Sequence, residues 1–234
     1  MYQINNDKCS RTIRSLYNMT EDRKIMVVDR VLLFADEYFQ GFSPADVIDY
    51  EKTILDNYHY EKREVAENNP DLKQPIAYCL IVNPKIKKVF AYQRSQDQKE
   101  YTERRLQGKW SWGIGGHIDK IDLEDDNPIH ASLKREIAEE IIIERDINPK
   151  IIGYINDDET PVGQVHFGIL YLIEIESDKI EPNDSEIARG AFMTIEELEE
   201  LSFSPELTVE EWSLIALSPL RGILEPQDSP ENKI

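Results

Sequence analysis

Two neighbouring runs organise the reading of this chain: Gly115-Gly116-His117-Ile118-Asp119, and after a gap Arg135-Glu136-Ile137-Ala138-Glu139-Glu140-Ile141-Ile142-Ile143. On a helix turning about 100° per residue, Glu136, Glu139 and Glu140 fall in one arc roughly 100° wide, with Ile137, Ala138 and Ile141 nearly opposite. One face can pack while the other holds a cation. Like charges three and four apart cost a few tenths of a kcal/mol each on an isolated helix, so the cluster implies an offsetting positive charge. Hard oxygen donors in this pattern suit Mg²⁺ or Mn²⁺. The plain alternative is a solvated face on which Arg135 pairs with Glu139. The preceding Trp110-Ser111-Trp112-Gly113-Ile114 reads as a strand, and the glycines after it let backbone approach a ligand closely, which favours a site.

The segment 116–143 resembles the Nudix box, G-x5-E-x7-R-E-U-x-E-E-x-G-U, where U is aliphatic. Arg135, Glu136, Ile137, Ala138, Glu139 and Glu140 match its R-E-U-x-E-E core at every position. Two positions depart. Counting back from Arg135 places Asn127 at the family's first glutamate, and Ile142 stands at the late glycine. The distance from Gly116 to Arg135 is also five residues too long, which puts an insertion within 120–126. In the family that first glutamate helps fix the loop against the arginine. Asn127-Pro128 also reads as an N-cap followed by a first helical residue, which leaves Asp122, Glu124, Asp125 or Asp126 to supply a carboxylate. Without the glycine terminator, the helix is expected to run toward Arg145 or Asp146.

The resemblance implies an α/β fold, a Nudix-type α/β/α sandwich with a mixed sheet and an N-terminal elaboration. It extends outside the box. Strands are expected over 76–82 and 89–94, joined by Asn83-Pro84-Lys85 and delivering Arg94 toward the site. Further strands are expected over 151–155 and 165–175. Thr194 with Glu196-Glu197-Leu198 reads as a helix start, and helices are expected over 46–57 and 205–217, the latter carrying Trp212 as a core residue. The stretch Val27 to Phe34, with Phe39-Gln40-Gly41-Phe42, is similar to a bacterial Nudix group described as predicted phosphoesterases. The organisation expected is a polar segment 1–24, a domain 25–221 and a disordered tail 222–234.

By resemblance the activity is metal-dependent hydrolysis of a phosphoanhydride or phosphoester, with a nucleoside diphosphate derivative as substrate. Glu136, Glu139 and Glu140 would hold Mg²⁺ or Mn²⁺, with Glu139 the catalytic base and His117 a second candidate for that role. Arg94, Gly115 and Gly116 would meet the substrate, with Arg104, Arg105 and Lys109 as further basic candidates. The turn-rich Asp157-Asp158-Glu159-Thr160-Pro161-Val162-Gly163 is a specificity-loop candidate. Two rivals stand beside this: a non-catalytic nucleotide-ligand sensor, which Asn127 in place of the family glutamate permits, and an isopentenyl-diphosphate isomerase, which would need a reactive cysteine near the site, for which Cys79, in an expected buried strand, is a poor candidate.

Composition is compatible with a single-core cytoplasmic enzyme: 234 residues, 40% apolar, 31% charged. Against 27 basic residues stand 46 acidic ones, a net charge of -19, which argues against nucleic acid, while the small anionic phosphate-containing partner that the resemblance implies can still enter where a divalent metal inverts the local field at the glutamates. No apolar run reaches the roughly 18 residues of a membrane span, and the N-terminus is polar. Cys9 and Cys79 make no disulfide framework. A homodimer is left open.

Overall fold

The computed structural model describes residues 23–96, 106–124, 127–143, 147–183 and 185–226. The chain opens with strand β1 (Lys24–Asp29), helix α1 (Arg30–Leu33), β2 (Gly41–Pro44), α2 (Tyr50–Asn57), β3 (His59–Lys62) and α3 (Arg63–Ala66). A hairpin follows, β4 (Leu72–Asn83) and β5 (Lys88–Arg94), then β6 (Trp110–Ser111), β7 (Gly113–His117) and a 3-10 turn (Lys120–Glu124). Next come α4 (Pro128–Glu140), β8 (Ile141–Ile142), β9 (Lys150–Asn156), α5 (Pro161–Val165) and β10 (His166–Glu174). The chain closes with β11 (Glu181–Pro182), β12 (Ile187–Met193), α6 (Ile195–Phe203) and α7 (Glu211–Leu224).

The sheet is mixed, in the order β12-β5-β4-β10-β9-β2, with β7 and β1 also paired to β4. Every residue of β4 is buried, and it lies parallel to β10 but antiparallel to β5, β7 and β1. Alternation along β4 divides the apolar residues between two layers. Ala77, Cys79 and Ile81 face one side, where Ile129, Leu133 and Ile137 of α4 and Tyr50 and Ile54 of α2 pack. Ile76, Tyr78, Leu80 and Val82 face the other, against Ile195 and Leu198 of α6 and Ala216, Leu220 and Leu224 of α7. This is the expected α/β/α sandwich.

The hairpin turn forms as read, with the Asn83 side chain accepting from Lys85 N at 3.1 Å. So does the start of α6, where Thr194 and Glu197 make a reciprocal capping box. Other boundaries move. Helix α2 begins at Tyr50 rather than Asp46, because the Asp49 side chain caps Lys52 N at 3.0 Å. Helix α4 stops at Glu140 and does not run on: Ile141 takes an extended conformation, buries its side chain and pairs with Pro182. The last helix spans Glu211–Leu224 rather than 205–217, carrying Pro219 inside it because Leu220 and Leu224 bury beyond that point. Both expected termini shrink accordingly. Arg23 and Lys24 belong to the fold, as do 222–224, while 1–22 and 227–234 lie outside the described residues.

Candidate active site

Helix α4 begins where the side chain of Asn127 accepts from Ile129 N at 2.9 Å and His130 N at 3.2 Å, with Pro128 in the first turn. Asn127 is therefore an N-cap. Three turns on, α4 presents Glu136, Glu139 and Glu140. Glu136 lies against the bare backbone of β7, where a Cβ on Gly116 would come within 2.6 Å of both its carboxylate oxygens. Glu139 points outward, its side chain 36% exposed. Glu140 is 8% exposed, and its Oε2 is buried without a hydrogen-bond partner. Burial pushes the Glu140 carboxyl up to about 8, opposed by Arg94 and reinforced by Glu136, Glu186 and Glu210.

The charge that offsets this cluster is Arg135. Its Nε and Nη2 donate to the two oxygens of Asp122 at 2.8 and 2.9 Å, and Nη2 also reaches His117 O and Ser132 Oγ at 2.9 Å. Nη1 donates to Glu136 Oε1 and stands 3.5 Å from Glu139 Oε2. Burial opposes the guanidinium charge, but Asp122, Glu136 and Glu139 outweigh that and raise its pKa above the usual arginine range. Asp122, 6% exposed, thus does the positioning that the resemblance assigns to a glutamate. Counting six positions forward from Gly116, instead of back from Arg135, lands on Asp122 at the glutamate position. The five extra residues then fall between Asp122 and Arg135. That forward count was the available signal, and it places the insertion later than 120–122.

The remaining candidates separate. Arg94 ends β5 and is 6% exposed; its Nε donates to Glu210 Oε1 at 2.5 Å, and its charge acts on Glu140. Gly115 lets β7 approach β4, since a Cβ there would sit 2.0 Å from Ala77 O. Lys109 is half-buried, and Arg104 and Arg105 lie outside the described residues. In the 157–163 loop, Asp157 accepts from Gln40 and Thr160, and Asp158 accepts from Arg30, Lys73 and Tyr38, so both acids are internal partners. His117 stands beside His166 and Gln74, and burial first, then Arg63, His166, Arg23 and Arg135, holds its pKa well below the ordinary value. Glu186, which the order Glu186, Phe192, Thr194, Leu198 marks as similar to the end of many Nudix domains, and Glu210, which no local pattern marked, come to the site from distant sequence.

A NUDIX domain model matches residues 72–217. Protein YmaB of Bacillus subtilis (strain 168) is 33% identical over 201 residues, covering 82% of this chain and 94% of that protein. Among solved structures, Tm1382, described as a Nudix hydrolase, aligns with a TM-score of 0.61 at 25% identity, over 84% of this chain and 97% of its own. DR0079 from Deinococcus radiodurans shares the fold with a TM-score of 0.52 at 14% identity, over 82% of this chain and 96% of its own.

Proposed function

The chain belongs to the Nudix hydrolase family, and on that footing we propose that it hydrolyses a phosphoanhydride or phosphoester in a small anionic substrate, a nucleoside diphosphate derivative, with a divalent metal. One observation carries the reading. A carboxylate oxygen of Glu140 is buried without a partner inside an arc shared with Glu136 and Glu139, an arrangement that is costly unless a cation completes it. The donors are all carboxylate oxygens, which fits Mg²⁺ or Mn²⁺ held by Glu136, Glu139 and Glu140. Such an ion, when bound, neutralises phosphate charge and lowers the pKa of coordinated water.

The chain's own residues supply the rest. Glu139, the most exposed of the three, accepts the proton of the attacking water at its carboxylate. Arg135, locked by Asp122, keeps Glu136 against Gly116 and so fixes the arc. Both rivals lose support. The sensor reading was motivated by Asn127 in place of a glutamate, yet Asn127 caps α4 and Asp122 holds Arg135. The isomerase reading needs a reactive thiol, whereas Cys79 is fully buried and burial raises its pKa far above the usual thiol range.

The test is a screen of nucleotide sugars, dinucleoside polyphosphates, ADP-ribose, NADH and nucleoside triphosphates with Mg²⁺ or Mn²⁺, read by phosphate release after phosphatase coupling. On the substrate found, Glu139→Gln is expected to lower kcat by about a hundredfold with circular dichroism unchanged. A loss under about threefold would move the base elsewhere.

A further inference from the structure

The opposite face of the sheet carries a different set of donors. His117 on β7 pairs in register with Ile76 of β4, and His166 at the start of β10 pairs with Gln74, two residues earlier on β4. His117, Gln74 and His166 therefore stand on one face of three adjoining strands, the face away from α4. Glu67, just after α3, closes over them. One ligand atom from each of Glu67, His117 and His166 lies within 4.8 Å of the others.

The hydrogen bonding of this group does not balance. His166 Nδ1 lies 2.7 Å from Val162 O, and a carbonyl only accepts, so Nδ1 carries the proton and Nε2 presents a lone pair. That lone pair faces His117 Nε2 at 3.2 Å. Gln74 Oε1, at 2.9 Å, and Glu67 Oε1, at 3.8 Å, face the same nitrogen. Two acceptors thus lie within hydrogen-bond distance of a nitrogen with at most one proton to give, and the Glu67 carboxylate stands just beyond them. Gln74 is fully buried and its Nε2 has no partner; exchanging the amide's oxygen and nitrogen only moves the deficit to the other atom.

We propose that Glu67, His117 and His166 form a second metal site that takes a first-row divalent cation such as Zn²⁺, with the Gln74 amide oxygen beside it as a further donor. A cation accepts all the lone pairs that a single proton cannot serve. Two imidazole nitrogens bound tetrahedrally at about 2.0–2.1 Å lie roughly 3.4 Å apart, close to the 3.2 Å separation here. Imidazole donors select zinc and its neighbours over the Mg²⁺ or Mn²⁺ suited to the all-carboxylate arc, so the two sites differ in chemistry as well as in sheet face. His117 and Glu67 keep side-chain exposures of 13% and 17%, which gives the ion a path from solvent. Second-layer support is present: Val162 O fixes the His166 ring, and Arg63 Nε reaches Glu67 Oε1 at 3.3 Å as the group an ion must displace or share.

The proposal stands apart from the hydrolase reading and is tested without turnover. Full-length protein stripped with chelator is titrated with Zn²⁺ by calorimetry, and bound zinc is counted after dialysis. One Zn²⁺ per chain is expected, retained in a Glu136→Gln/Glu139→Gln/Glu140→Gln variant and weakened roughly tenfold or more by Glu67→Gln and by His166→Ala. Glu67→Gln is isosteric and partly exposed, so it decides the matter if His166→Ala does not fold by circular dichroism. Undiminished zinc affinity in Glu67→Gln, loss of zinc in the triple variant, or no zinc bound to the parent would each overturn the assignment.

Discussion

Replacing Asp122 with alanine removes the two oxygens that grip Arg135 at 2.8 and 2.9 Å and the acceptor for Asp119 N at 2.8 Å. The guanidinium side chain, 12% exposed, keeps Glu136, Ser132 Oγ and His117 O as partners. Breaking a buried ion pair from one side costs about 3–5 kcal/mol, and the partners that remain place this case near the lower end, at about 3 kcal/mol. In a chain of this size 1 kcal/mol moves Tm by about 2–4 °C, so Asp122→Ala should melt about 6–12 °C below the parent. Arg135, drawn toward Glu136 and Glu139, no longer holds the arc, and kcat should fall by about a hundredfold, the effect of roughly 1 Å of misplacement. Asn127→Ala is the matched control: loss of the cap costs about 1 kcal/mol and leaves turnover nearly intact. Calorimetric melting and steady-state kinetics on both variants give the answer. The reasoning fails if Asp122→Ala melts within about 2 °C of the parent, or if Asn127→Ala proves the more damaging to activity.

Three further outcomes are expected. Mg²⁺ or Mn²⁺ affinity, measured by calorimetry, should drop in Glu136→Gln and in Glu140→Gln, and equal affinity in parent and variants would remove the ion from α4. Gly116→Ala puts a methyl into the space of the Glu136 carboxylate, so it should weaken that ion by about tenfold with only a small change in Tm; unchanged affinity would show that Glu136 swings aside freely. Burial works against the Asp158 charge, but bonds from Arg30, Lys73 and Tyr38 outweigh it and hold its carboxyl below the usual range. A depressed carboxyl stabilises the fold fully above the unfolded value near 4 and loses that contribution as pH falls through the folded one. The Tm gap between parent and Asp158→Asn should therefore be widest above about pH 5 and close on acidification, and a gap independent of pH would refute the charge pairing.

The sequence exposed what is local. The α4 carboxylates, the 83–85 turn and the Thr194 cap each rest on residues within one helical turn or one hairpin, where spacing maps directly onto geometry. The end of α4 falls short of the expectation because a missing glycine terminator does not by itself extend a helix; pairing of Ile141 with Pro182, 41 residues away, makes a strand there instead. The last helix spans Glu211–Leu224 rather than 205–217 because burial of Leu220 and Leu224 carries it through Pro219, a tertiary effect that local pattern does not show. Asp122 was visible but undecided, since an insertion makes a forward and a backward count disagree. Glu67 and His166 had no signature: they meet His117 only because β7, β4 and β10 lie side by side.

The family pattern matches from Leu72, but the hydrogen bonding does not begin there. Strand β1 pairs with Leu72 and Lys73, and Ile25 and Val27 are fully buried with Ala66 and Leu72. Lys73 is itself buried and satisfied by Asp158, which Arg30 and Tyr38 of the leading segment also hold. A protein trimmed to start at Leu72 would carry an uncovered sheet edge and a buried ammonium whose counter-charge had lost two of its anchors. Unpaired edges recruit one another, so such a fragment should associate rather than behave as a smaller enzyme. The inheritable unit of this protein is longer than its recognisable one, and shuffling or fusing it at the boundary of the match would cut through a folded body.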